Sequence, residues 1–129
     1  MSWDDFHARR AVLYDVLDRA RVDPEVVVRL SHVDGVIRHF GSPDNVLLAL
    51  QQRWNNHLAA KLDQSLEDGT ALVDARSALA AEQPTLRAVL DAGALSYESL
   101  RGALRSEQRM ISAHATGSFP LARQRVVVA

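Results

Sequence analysis

The residues best suited to chemistry are five histidines and a generous set of carboxylates. His32 and His39 share a helix face, but at i, i+7 they stand roughly 10 Å apart along the axis, beyond the reach of one ion. No HxxxH, HxxxE or HExxH spacing occurs. A site built from His39, His57 and a carboxylate would need three ligands from different helices at bonding distance. Surface or core-edge histidines are therefore the better reading, and no metal is expected. The chain has no cysteine, which removes thiolate ligands and thiol nucleophiles. It also lacks a G-x-S-x-G turn and a glycine-rich phosphate loop. Asp4 and Asp5 fall at a helix start, and Asp63, Glu67 and Asp68 at a polar helix end, both ordinary solvated places. No catalytic residue and no cofactor are expected, and a protein without catalysis is the reading that follows.

Arginines form a sharper pattern. Arg101, Arg105 and Arg109 recur at i, i+4, i+8 and make one ridge along a late helix, with Glu98 the nearest acid in sequence. With Arg123 and Arg125 of the C-terminal tail, this ridge could grip a phosphate backbone or an acidic partner, against the plainer reading of a solvated basic face. Arg9 and Arg10 lie on or beside the apolar stripe of the first helix. They either form a partly buried guanidinium pair or lie along apolar surface, with Asp5 and Arg9 paired at i, i+4. Trp54 and His57 mark the candidate wall of an inter-helix pocket.

The elements that position these residues are all helical. The longest stretch, residues 40–69, starts at Ser42-Pro43-Asp44: the serine is placed to cap free amides, and Pro43 sits where no donor is needed. Leu47, Leu50, Trp54 and Leu58 share its core-facing stripe, while Leu62 and Leu66 drift round the cylinder and point to a second partner. Before it, Ser2 and Asp5 open a helix to about Arg21 with Phe6, Leu13, Val16, Leu17 and Ala20 inward. Asp23-Pro24-Glu25 starts a short helix weakened by Val26, Val27 and Val28. Ser31 and Asp34 cap a third segment, with Val33, Ile37 and Phe40 on one face. After the long helix, Thr70 caps a helix through Ala81 that carries Leu72, Val73 and Leu79. Pro84 begins the next, with Leu86, Val89 and Leu90 inward and Gly93 as its stop. Ser96 caps the last, whose stripe is Tyr97, Leu100, Leu104, Ile111 and Ala115. The expectation is an all-α irregular bundle of about six to seven helices around one long central helix, with a single domain over residues 1–117 and a tail over 118–129.

Charge is unevenly placed. Six basic face seven acidic side chains in residues 1–40, four face seven in 41–95, and five face two in 96–129. An N-terminal third without basic surplus argues against nucleic acid as its main partner. With no signal peptide and no apolar run long enough for a bilayer, a cytoplasmic location and no membrane contact are expected.

At Val36-Ile37-Arg38-His39-Phe40-Gly41-Ser42, followed by Asp44 and leucines 47, 48 and 50, the chain resembles the tetracycline-repressor (TetR) family, with a degenerate helix-turn-helix. AAEQPTLRAVL also resembles a later helix of that family. Ile37 stands where the family has tyrosine, and Pro43 where it has lysine. The resemblance implies a regulatory or interaction protein that forms a homodimer through its late helices. By that analogy the contacts are Leu62, Leu66, Leu100, Leu104 and Ile111. It implies His39 as a phosphate contact, and a DNA-binding regulator would need Arg29, Arg38 and His39 on one positive face. A small-ligand binder or enzyme with a pocket near Trp54 and His57 is the other alternative.

Overall fold

A computed structural model of the chain describes residues 2–116. The tail with Arg123 and Arg125 lies outside the described residues. Helix α1 (Trp3–Val22) leads into a 3-10 helix (Pro24–His32). Then come α2 (Val36–Phe40), α3 (Pro43–Asp68), α4 (Leu72–Glu82), α5 (Pro84–Ser96) and α6 (Glu98–Thr116), with no strand among the described residues. The fold is all-α, an irregular bundle around the long central helix α3.

Helix α3 carries the core. Leu47, Leu50, Trp54 and Leu58 are fully buried as their spacing requires, and each such leucine contributes roughly 1.5–3 kcal/mol relative to exposure. The stripe does not end there. It continues through Gln51, Leu62 and Ser65, all buried, because α4 and α6 both pack along the helix and widen the face it must cover. Leu62 therefore serves this chain's own core and not a second partner, and only Leu66 stays exposed. Lys61 lies between the two flanks and carries its amine outward to Glu82, 2.8 Å away. At the start of α3, Ser42 caps no amide. Its hydroxyl donates instead to Asp44 Oδ1 at 2.7 Å, while Ser99 Oγ of α6 donates to Asp44 Oδ2 at 3.0 Å, so Asp44 ties the two helices together. These hydroxyls, Ser42 first, hold the Asp44 carboxyl below its ordinary value.

The N-terminal elements differ from expectation for local reasons. In α1 the buried positions are Val12, Val16 and Ala20, and Phe6 stands in solvent. The β-branched run forms a 3-10 helix that buries Val26, Val27 and Leu30 and leaves Val28 outside. The third segment shortens to five residues because Gly35 enters the left-handed region at φ +85° just before it. A Cβ at Gly35 would also lie 2.7 Å from Val12 Cγ2, so glycine is required there twice over. The new start rotates the segment so that Val36 is buried and Ile37 exposed.

Later boundaries shift by a few residues. Ala71, not Thr70, precedes α4, and Val73 faces solvent while Ala75 and Leu79 are buried. Gly93 does not stop α5, which runs on to Ser96. It lies where α5 crosses α3 and α6, and a Cβ there would meet Leu47 Cδ1 at 3.0 Å and Leu100 Cγ at 3.3 Å. The helix tolerates glycine's poor propensity because the crossing needs its missing side chain. A branched side chain must push both leucines aside. Gly93→Val is therefore expected to cost about 1–3 kcal/mol, read as a lower urea midpoint with an unchanged slope; a wild-type midpoint would show that the crossing widens freely.

Candidate interaction site

The inner face of α6 is polar where the sequence reading placed apolar side chains. Its buried positions are Leu100, Glu107 and His114, at i, i+7 and i+14, while Leu104 and Ile111 are only half-buried. Leu100 is spent on the chain's own core, so neither it nor Leu62 is on a surface that a second copy could touch. Glu107 is 1% exposed and draws one side chain from each of three other helices. Gln51 Nε2 of α3 donates to Oε1 at 3.1 Å, Arg76 Nε of α4 donates to Oε2 at 2.8 Å, and Arg87 Nη1 of α5 lies 3.5 Å from Oε1. Arg87 also turns to Asp91, donating from Nε at 3.0 Å. Its Nη2 is 2.9 Å from the same carboxylate but out of line for a hydrogen bond, so that contact acts through charge alone. Beneath them, the Trp54 ring sits 4.6 Å from the Arg87 guanidinium and 5.9 Å from that of Arg76. Trp54 is thus the fully buried floor of an ionic cluster, whereas His57 is exposed at the surface. His114 is buried too, with Nδ1 2.9 Å from the Met110 carbonyl and Nε2 3.2 Å from Asp63 of α3.

Two charged guanidinia around one buried carboxylate are held by mutual compensation, and removing the acid leaves Arg87 in the core without it. Glu107→Ala is expected to lose roughly 3–5 kcal/mol, whereas Glu98→Ala, at an exposed pair, leaves the urea midpoint nearly unchanged.

The outward-facing cluster lies between α1 and α3. On α1, Trp3, Phe6, His7, Arg10 and Tyr14 follow one another at i, i+3, i+4, i+7 and i+11, so they share one helix face. Trp3 is 72% exposed, Phe6 48% and Tyr14 39%. Trp3 and Phe6 stack at 6.0 Å, and the His7 ring meets Trp3 edge-on at 4.3 Å. Beside this face runs an open groove of about 580 Å³ whose walls include Phe6, Arg9, Arg10 and Tyr14 on one side and Gln52, Arg53, Asn56 and His57 on the other.

Three arginines of the groove lie on aromatic rings. Arg9 is 4.2 Å from the Phe40 centroid and donates to the His39 carbonyl at 2.6 Å, closing the end of α2. Arg10 and Arg53 flank Tyr14 at 5.3 and 5.0 Å, and Arg10 Nη2 donates to the phenol oxygen at 3.1 Å. The expected Asp5–Arg9 pair does not form. Among the described residues none of these three guanidinia has a carboxylate within ion-pair distance. His57 Nδ1 contacts Gln83 Nε2 at 3.2 Å.

The arginines singled out from spacing are differently placed. Arg29 is paired with Asp23. Arg101 and Arg105 share Glu98 at 2.8 and 3.5 Å, and Arg109 donates to Ser106 at 2.8 Å, so the ridge is partly neutralised by its own helix. Arg101 with Arg105 holds the Glu98 carboxyl below its ordinary value. Arg38 is exposed on α2, and His39 is half-buried. The signal that marked the groove was available in sequence as an aromatic and arginine stripe on α1, but Phe6 drew that helix's assignment toward the core.

Tyr14 and Tyr97, the two tyrosines, ionise on opposite sides of the ordinary value. The hydrogen bond from Arg10, then that from Arg53, holds the Tyr14 phenol down, whereas burial pushes Tyr97 up. A phenolate absorbance titration is expected to show two separate steps. In Arg10→Gln/Arg53→Gln the first moves up toward the ordinary value near 10, and a first step that stays in place would mean the guanidinia do not govern Tyr14. No family model, no curated protein and no solved structure matches this chain.

Proposed function

We propose that the chain is a helical regulatory or interaction protein without catalysis, which works by presenting the α1–α3 face to a partner. One observation carries this reading: Arg9, Arg10 and Arg53 lie on aromatic rings in an open groove without carboxylate partners among the described residues. Tryptophan, tyrosine and arginine are the residues in which binding energy concentrates at protein interfaces. Folding alone gives no reason to hold charge and aromatic surface in water together. The buried ionisable side chains Arg87, Glu107 and His114 meanwhile serve pairing between helices, which supports a role without chemistry.

A TetR-like outline belongs to this proposal through three N-terminal helical elements, the 20-residue α1 and two short ones, ahead of long α3, with His39 and Phe40 closing the third. A DNA-binding regulator has less support, because Arg29 is engaged by Asp23, which leaves Arg38 and the half-buried His39 of the expected set without an acid among the described residues. A homodimer through the late helices would rest on Leu66, Leu104 and Ile111, with Leu62 and Leu100 withdrawn into the core.

A photo-crosslinking residue placed at Tyr14 in the native cells tests the reading, with Val28 as the exposed control on the 3-10 helix. The expected result is a discrete protein adduct from position 14, lost in an Arg10→Glu/Arg53→Glu background and absent from position 28. An adduct at twice the chain mass would assign the face to a second copy. Equal or no crosslinking at the two positions would overturn the proposal.

A further inference from the structure

We infer that the α1–α3 groove seats an acidic amphipathic helix of a partner protein. This rests on the reading of that face as an interaction surface and adds what the partner must look like. Charge comes first. Three guanidinia line the groove with no carboxylate paired to them among the described residues, and an arginine fork pairs a carboxylate through two parallel hydrogen bonds. Residues 117–129 of the chain carry two arginines and no acidic side chain, the wrong sign for this seat.

Shape and chemistry narrow the occupant further. The groove runs between two helices, and from Phe6 to Tyr14 its α1 wall extends about 12 Å, or roughly two helical turns. Its apolar floor of Leu13, Phe40 and Ala49 is flanked by Arg10 from one helix and Arg53 from the other. That arrangement complements a helix with one apolar stripe edged by acids, the usual pattern of a helix laid in a groove. An extended segment needs an open strand edge, and no strand exists among the described residues. A polyproline segment needs bare aromatic faces, but arginines already lie on Tyr14 and Phe40. The exposed Trp3–Phe6 stack prolongs the apolar surface past the groove, which suits a helix longer than the groove better than a small anion.

The probe is a fluorescein-labelled peptide of about 14 residues, long enough for nearly four turns, with leucines at i, i+4 and i+7 flanked by glutamates. Three further peptides carry glutamine or lysine in place of glutamate, or proline in mid-sequence. With the full chain, anisotropy is expected to saturate for the acidic peptide. It should weaken at least about tenfold on changing glutamate to glutamine, an electrostatic loss of roughly 1.4 kcal/mol, and fall off with salt. Arg10→Gln/Arg53→Gln should lose a similar factor while its far-ultraviolet circular dichroism stays that of wild type. Comparable binding of the lysine peptide, or of the acidic peptide to the double variant, overturns the inference. So does undiminished binding of the proline peptide, which would indicate an extended partner, or equally tight binding of naphthoate, which would indicate a small-anion site. A position-14 adduct in cells alongside no binding of the acidic peptide would leave the interaction reading standing and remove this one.

Discussion

The fold depends on one buried carboxylate. An ionised Glu107 inside a core costs several kcal/mol unless compensated, and the compensation comes from Gln51, Arg76 and Arg87 on three separate helices. Four helices must therefore be rotated and spaced to suit one side chain. Trp54 supplies the apolar underside on which the two guanidinia rest, so the aromatic ring and the ionic cluster are one packing unit. The same demand sets the inner face of α6, where Glu107 and His114 follow Leu100 at seven-residue steps. Asp44 bonded to Ser99 and His114 against Asp63 tie α6 to the two ends of α3.

Pairing of charge divides the molecule into an inside and an outside. The acids near α5 and α6 are taken by Arg76, Arg87, Arg101 and Arg105, some in the core and some at the surface. Arg9, Arg10 and Arg53 lie on aromatic rings with no carboxylate paired to them among the described residues, which places uncompensated positive charge on the α1–α3 face although the N-terminal third has no basic surplus. Along the chain, the basic surplus falls on the C-terminal arginines. Where charge stands unpaired depends on which acids the fold carries to which arginines, and Glu98 sits within its own helix's reach of two of that ridge.

Much of the architecture was legible because it rests on local rules. Pro24, Pro43 and Pro84 each begin a helix, and Gly69 follows the end of α3. Leu47 to Leu58 reads as a buried stripe and is one. Misreadings cluster where neighbours outweigh local preference. The angle of Leu62 leaves the narrow stripe and points outward by periodicity alone, yet flanking by α4 and α6 makes that angle an inner one. Gly93 has the look of a stop and acts as a spacer at a helix crossing. Phe6 has the look of a core residue, but α1 presents Val12 and Val16 to the body and turns Phe6 beside Trp3 into solvent.

By itself, the sequence determined the helical class, the long central helix with its main apolar stripe, and the proline-marked starts, since propensity, capping and 3.6-residue periodicity act within a few residues of one another. Only the tertiary structure decided which polar residues lie inside and which arginines among the described residues meet no carboxylate. Glu107 shares no sequence neighbourhood with Gln51, Arg76 or Arg87, and Arg53 shares none with Tyr14. A charged side chain looks alike in sequence whether solvated, buried against its counter-charge or left open beside an aromatic ring, because the partner that decides its fate arrives from another helix.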